Sequence, residues 1–212
     1  MTNDTATILD GLLFIAANEW QMDEEQILDN MAMIEYHESK GDPTAIQKVS
    51  KGTEVSIIPS FLGEGAIATG TEYGEGRGKG LFQFESNVEG GGQGGAQTAI
   101  TRLTNLLESQ GAVVPDWISE LSENEYDVSG LSPEQQQIIF LGNLLEKKNV
   151  EGRVPSSFKD VKTLEDVAKY WAQHHQAGTT PDSTEEEKMM NRFKKDVSYG
   201  EALGELDLFG EI

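Results

Sequence analysis

The strongest constraint on the fold is a glycine-rich segment in the middle of the chain. Twelve of the 23 glycines lie within the 33 residues from 63 to 95. Glycine loses more conformational freedom on ordering than any other residue, so a long helix through this segment would be unstable. We therefore predict loops and a short β-hairpin here, serving either as a lid or as a place where backbone approaches a ligand closely.

Apolar residues recur at helical spacing on both sides of this segment. Gly41-Asp42-Pro43 ends one predicted helix, because proline disfavours helical backbone in the residue before it. Ser132-Pro133-Glu134 begins another, with Ser132 as N-cap and Pro133 at the first helical position. The pattern predicts a mainly α fold with a small glycine-rich β region. The predicted helices are 5–19, 22–40, 96–110, 132–148, 163–176 and 185–195.

The chain is strongly acidic, with 37 Asp and Glu against 16 Lys and Arg and a net charge of −21 over 212 residues. Such a charge repels phosphate backbones, so we expect no nucleic-acid partner. Cysteine is absent, which excludes disulfides and thiolate metal sites. His174 and His175 suggest metal binding, but neighbouring helical residues point about 100° apart and no third ligand follows. We expect no metal and no cofactor.

The start of the chain lacks two targeting signals. Its first ten residues contain no Lys or Arg, so the basic region of a signal peptide is missing. The longest apolar run, residues 12–17, is far shorter than a membrane span. We expect neither a cleaved leader nor a membrane-spanning segment.

One carboxylate continues the apolar stripe of the second predicted helix. The stripe consists of Ile27, Met31 and Ile34, and Glu38 follows four residues later on the same side. A carboxylate there loses hydration and meets the negative end of the helix dipole, so we expect its pKa to rise. A protonated glutamic acid of this kind can protonate a glycosidic oxygen. The alternative is a glutamate at a fraying helix end that faces water.

Three short motifs carry a family resemblance. They are Glu38-Ser39-Lys40-Gly41-Asp42-Pro43-Thr44-Ala45, Gly80-Leu81-Phe82-Gln83 and His175-Gln176-Ala177-Gly178. They resemble the E-S-x-x-x-P-x-A, G-L-M-Q and Y-N-A-G motifs of soluble lytic transglycosylases and goose-type lysozymes, with Phe replacing Met, His replacing Tyr and Gln replacing Asn. The resemblance implies a lysozyme-like (α+β) catalytic domain over 23–178, after an N-terminal helix in 1–22 and before a linker, short helix and acidic tail in 179–212.

The resemblance also implies an activity on peptidoglycan glycan strands. Glu38 would protonate the oxygen of the β-1,4 bond between N-acetylmuramic acid and N-acetylglucosamine, and then deprotonate the muramyl C6 hydroxyl to give a 1,6-anhydro product. Tyr170, like Trp171 and Trp117, could stack on a sugar ring, and core packing is the alternative. The other implied substrate-binding residues are Ser39, Phe82, Gln83, His175 and Gln176.

Two other functions stay open. A true hydrolase would use a second carboxylate to activate water, and Glu72, Glu75 and Glu85 are the candidates, with Glu75 and Glu72 preferred. Loop acids facing solvent are the alternative. A structural virion protein could keep the lysozyme-like shape without activity.

The segment from Gly74 to Gly80 resembles a phosphate loop but lacks the Ser or Thr that follows Gly-Lys, so nucleotide binding is not favoured. Arg77 and Lys79 within it could meet the lactyl or peptide carboxylates of peptidoglycan, or could be plain surface charge.

The biological setting follows from the same resemblance. A peptidoglycan enzyme without leader or cysteine, and with acidic ends carrying apolar residues, resembles phage virion-associated lysins. We therefore expect the protein in the phage particle, acting in the host periplasm or cell wall. The tail from Leu203 to Ile212 could dock on another virion protein; a disordered or self-packed tail is the alternative.

Overall fold

The computed structural model describes residues 5–50, 55–57, 73–85, 95–147, 153, 155–174 and 180–206. Within these ranges the chain is mainly helical with one small antiparallel sheet, which confirms the predicted mainly α class. None of the helices in the described ranges combines the length and apolar character needed to cross a bilayer.

The helices agree with the predicted segments to within a few residues, with two exceptions. The short helix α4 is not predicted, and α7 continues eight residues beyond the predicted end at Lys195. The helices are α1 (Thr5–Trp20), α2 (Glu24–Ser39), α3 (Gly95–Ser109), α4 (Asp116–Glu120), α5 (Pro133–Glu146), α6 (Leu164–His174) and α7 (Thr184–Leu203).

The sheet has the strand order β2-β1-β3-β4, and every neighbouring pair is antiparallel. Glycine occupies every second position of β3, so one face of that strand carries no side chains. The pair β3–β4 is the hairpin predicted for the glycine-rich segment, whereas β1 and β2 are not predicted. The strands are β1 (Ile46–Ser50), β2 (Val55–Ile57), β3 (Tyr73–Lys79) and β4 (Phe84–Glu85).

The chain divides into two compact units, the first formed by 1–10 and 38–146 and the second by 11–37 and 147–212. In the first unit α3 packs on α5, where Gly142 allows close approach: a Cβ there would lie 2.6 Å from Cδ1 of Leu103. The sequence-based division at residues 22 and 178 stays a prediction.

The core of the second unit joins α2, α6 and α7. His37 packs against Trp171 and Phe193, with ring centroids 4.3 and 4.9 Å away, and its Nδ1 lies 2.9 Å from a carboxylate oxygen of Asp196. The stripe residues of α2 predicted to be apolar and buried are at most 1% exposed. Helix α7 therefore belongs to this core.

Tyr36 fixes the far end of α7 to α2 within the same unit. Its hydroxyl donates a hydrogen bond to Oε2 of Glu205 (2.7 Å). Burial and this carboxylate raise the pKa of Tyr36 to about 12. Gly200 makes the approach possible, because a Cβ there would lie 2.5 Å from the Tyr36 ring.

Candidate active site

Glu38 lies in the last turn of α2 and is buried, with 4% of its surface exposed. Ser39, the next residue, is fully buried. The alternative of a glutamate facing water at a fraying end is therefore wrong. Burial disfavours the charged form of a carboxyl group, and so does the negative end of a helix.

The chain reverses direction immediately after Glu38. Lys40 and Gly41 both have left-handed backbone, with φ of 58° and 76°. Asp42 then closes the turn: its carboxylate accepts hydrogen bonds from the backbone N–H and the hydroxyl of Thr44, both at 2.8 Å. The segment that follows the candidate acid is thus a defined turn, as Gly41-Asp42-Pro43 predicts.

This turn is bonded to the Gly80–Gln83 segment. The N–H of Gly80 donates to the carbonyl oxygen of Ala45 (2.9 Å). The side-chain amide of Gln83 donates to the carbonyl oxygens of Gly80 (2.9 Å) and Ala45 (3.4 Å). Two of the three motifs, well separated in sequence, are therefore in direct contact.

A residue that the sequence analysis misses ties the two motifs together. Gln136 of α5 is fully buried, and its Oε1 accepts a hydrogen bond from the N–H of Leu81 (2.7 Å). Its Nε2 donates to the carbonyl oxygens of Pro43 (3.0 Å) and Leu131 (3.1 Å). The only signal in the sequence is a polar residue on the apolar side of a predicted helix, within a run of three glutamines.

Gly80 is required by this arrangement. Its φ is +73°, which disfavours any residue with a side chain, and a Cβ at this position would lie 2.1 Å from Oε1 of Gln136. The glycine of the Gly-Leu-Phe-Gln motif therefore has a steric explanation within this chain.

Gln83 combines backbone strain with an unsatisfied acceptor. Its φ is +47°, and its side-chain Oε1 is buried without a hydrogen-bond partner among the residues that the structure describes. A buried acceptor left unpaired costs about 1–3 kcal/mol, and strained non-glycine residues concentrate at functional sites. Gln83 Oε1 is therefore an unused acceptor close to the turn that follows Glu38.

Three of the predicted substrate-binding residues are buried. Ser39 has no exposed surface, and Phe82, 4% exposed, stacks on Phe140 with ring centroids 3.9 Å apart. Tyr170 is 1% exposed and packs on Phe158 and His174. None of these three side chains exposes enough surface to contact a sugar directly. For Tyr170 the structure favours the core-packing alternative.

The side chains of the remaining predicted site residues are not among those that the structure describes. His175, Gln176 and Glu72 lie outside the described residues. Glu75 pairs with Lys48 in the β1–β3 ladder, and only its backbone is described. The second carboxylate therefore stays a prediction.

His174, the neighbour of the third motif, is described. Its Nε2 lies 2.9 Å from the carbonyl oxygen of Pro155, and its ring stacks on Tyr170. Burial lowers the pKa of His174 to about 4. In the part of the chain that the structure describes, no group of three or more His, Cys, Asp or Glu could hold a metal ion.

Lys79 forms an ion pair with Asp127, with Nζ 2.6 Å from the carboxylate oxygen. Burial alone would raise the pKa of Asp127, but hydrogen bonds from Lys79 and Ser129 outweigh it and lower the pKa overall. Lys79 thus already has a carboxylate partner within the chain.

Comparison with protein-family models, with curated proteins and with solved structures finds no significant match. The family assignment therefore remains a prediction from the three motifs.

Proposed function

We propose that the protein is a peptidoglycan lytic transglycosylase with a lysozyme-like fold and Glu38 as its catalytic acid. The observation that carries the proposal is a buried glutamic acid whose following turn is hydrogen-bonded to the segment bearing Gln83. Hydrogen bonds thus join the turn after the proposed proton donor to the segment of Gln83, which has strained backbone and an unused acceptor.

The reaction needs one carboxyl group used twice. Glu38 donates its proton to the glycosidic oxygen as the bond from that oxygen to C1 of N-acetylmuramic acid breaks, and N-acetylglucosamine leaves with a free hydroxyl. The carboxylate then removes the proton from the muramyl C6 hydroxyl while that oxygen bonds to C1. Glu38 ends protonated and ready for another turnover, and water is not consumed.

Gln83 would position the substrate. Its Oε1 can accept from a sugar N–H or O–H, and its side-chain amide is already held by two carbonyl oxygens. A residue fixed in this way loses little freedom on binding, so the contact favours a single orientation of the sugar.

Digestion of purified peptidoglycan followed by mass spectrometry tests the proposal. We expect 1,6-anhydro ends from the wild type and a rate lower by about 10²-fold or more for Glu38→Gln, because general acid catalysis contributes about that much. Glu35→Gln, on the same helix and only half-buried, is the matched control and should retain activity.

Each other outcome selects a different function. Reducing ends would support a hydrolase with a second carboxylate, for which Glu75 and Glu72 are the first residues to change. A wild type that releases no product would support a structural virion protein. Activity retained by Glu38→Gln but lost in Glu35→Gln would reassign the acid to Glu35.

We also propose that the protein is carried in the phage particle and acts in the host periplasm or cell wall. The support is the acidic, apolar-containing end of the chain. Leu206 is buried, so a truncation that tests docking on another virion protein should remove 207–212 and leave α7 intact. Mass spectrometry of purified particles should detect the full chain; equal incorporation of the truncated chain would end the docking hypothesis.

A further inference from the structure

A groove in the first unit lies between α3 and the segment that contains α4. Its volume is about 320 Å³, within the range of roughly 300–1,000 Å³ usual for small-molecule sites. Ile100 of α3 and Ile118 of α4 line it and are almost fully buried. The groove therefore has an apolar floor.

The rim of the groove is polar but uncharged. Thr101, Asn105, Ser119 and Ser122 line it, and all four are exposed. The hydroxyls of Thr101 and Ser122 donate to the carbonyl oxygens of Gln97 and Ser119, both at 2.8 Å, and can still accept a hydrogen bond. The side chains of Asn105 and Ser119 can both donate and accept. The chain has 37 acidic and 16 basic residues among 212, yet none of the nine residues lining this groove is charged. This composition suits a neutral ligand with many hydroxyl groups.

Tyr126 supplies an aromatic ring held by strained backbone. Glu125 and Tyr126 are consecutive non-glycine residues in left-handed conformation, with φ of 51° and 59°. The N–H of Tyr126 donates to the carbonyl oxygen of Leu121 (2.9 Å), and the ion pair of Asp127 with Lys79 fixes the next residue. Strain of this kind persists where its surroundings hold it, as at ligand clamps.

We infer that this groove binds a short stretch of neutral N-acetylated glycan, separate from the Glu38 site. An apolar floor, an aromatic ring and an uncharged hydrogen-bonding rim match sugar rings with acetamido groups. The peptide stems of peptidoglycan fit less well, because their carboxylates would find no cation in the lining. The inference takes its substrate class from the proposed function, but binding is measured apart from cleavage.

The test uses ¹⁵N-labelled Glu38→Gln protein titrated with the chitin tetrasaccharide, which has acetamido groups and no carboxylate. We expect saturable chemical-shift changes at the amides of Asn105, Ser119 and Tyr126. Ser119→Trp, which fills the groove from an exposed helical position, should weaken binding by about tenfold or more. Asn105→Asp, which adds a negative charge to the rim, should weaken it less.

A second groove provides the matched control. It lies in the other unit, has a volume of about 310 Å³, and is lined by charged residues that include Lys169 and Glu187. Thr184→Trp places the same bulky side chain there and should leave tetrasaccharide binding unchanged.

Three results would overturn the inference. One is the absence of shifts at the α3–α4 groove at millimolar tetrasaccharide in a folded protein. Another is unchanged affinity in folded Ser119→Trp. The third is groove binding by a muramyl peptide but not by the tetrasaccharide, which would assign the groove to peptide. Failure of the Glu38 proposal would instead appear as unimpaired cleavage by Glu38→Gln.

Discussion

Each of the two units contains a buried polar side chain that organises the segments around it. In the first unit the neutral amide of Gln136 bonds to backbone groups of Pro43, Leu81 and Leu131. In the second the carboxylate of Glu186, 3% exposed, accepts from the N–H of Asp182 and the side-chain amide of Gln173. Both side chains are satisfied, but by different chemistry.

The difference follows from what each group can bond. An amide has donors and an acceptor, so it can join loops that present both carbonyl and N–H groups. A carboxylate only accepts, and it suits the start of α7, where Ser183 caps the helix by accepting from the N–H of Glu186 and the helix dipole is positive. We conclude that Gln136 holds the segments of the candidate site together, whereas Glu186 stabilises the fold of the second unit at the start of α7.

The substitution with the largest expected effect is Gln136→Leu. It would remove the hydrogen-bond partner of the buried Leu81 N–H and of the carbonyl groups of the half-buried residues Pro43 and Leu131. We expect the free energy of unfolding to fall by about 4 kcal/mol, at roughly 1–3 kcal/mol for each unpaired group. If the proposed function is right, peptidoglycan cleavage per folded molecule should fall as well, because the Gly80–Gln83 segment loses one of its ties to the turn after Glu38 and keeps those to Ala45. Denaturant unfolding and a cleavage assay measure both effects; unchanged cleavage would reduce Gln136 to a stability residue.

Gly80→Ala tests the same contact from the other side. We expect a loss of about 3 kcal/mol in unfolding free energy, combining left-handed strain with the clash against Gln136. Gly41→Ala is the matched control, since Gly41 has φ of +76° and nothing within 4 Å of a Cβ. Gly41→Ala should lower the free energy of unfolding only by the strain of left-handed backbone, about 1 kcal/mol. Equal losses for the two variants would show that the approach to Gln136 does not matter.

Glu186→Gln should separate stability from function. The amide replaces one accepting oxygen by a donor that faces other donors, so we expect a loss of about 2 kcal/mol in unfolding free energy. Cleavage per folded molecule should stay at the wild-type level. A drop in cleavage comparable to that of Gln136→Leu would contradict the division of roles.

The last prediction concerns pH. The pKa of His174 is about 4 in the folded chain, against an ordinary value of 6.5, so the unfolded chain binds the extra proton first on acidification. The contribution of His174 to stability is therefore complete above pH 6.5 and is lost as pH falls towards 4. Unfolding free energies measured between pH 7 and pH 4 should decline less steeply in His174→Gln. A parallel decline would exclude His174 as a source of acid sensitivity.

Local pattern accounts for what the sequence predicts well. The 3.6-residue period and the turn at Gly41-Asp42-Pro43 place α2 and bury Glu38, because both depend on neighbours along the chain. The hairpin of the glycine-rich segment is predicted for the same reason: glycine density acts on backbone entropy wherever the rest of the chain lies.

What the sequence does not predict depends on distant partners. Helix α7 extends beyond Lys195 because Val197 and Gly200 are buried in the second unit, and Gly200 packs on Tyr36. The sequence beyond Lys195 mixes polar residues with a few apolar ones and shows no clear apolar stripe. Gln136 is missed for a similar reason, since its partners belong to loops far from it in sequence.

The bond between Tyr36 and Glu205 also bears on the order of events during synthesis. Tyr36 and His37 immediately precede Glu38, but their partners Glu205 and Asp196 leave the ribosome more than 150 positions later. The final turn of α2 therefore completes its packing only after residue 205 has left the ribosome. A nascent chain stalled before residue 196 lacks these contacts, so we expect the end of α2 to be unpacked in it.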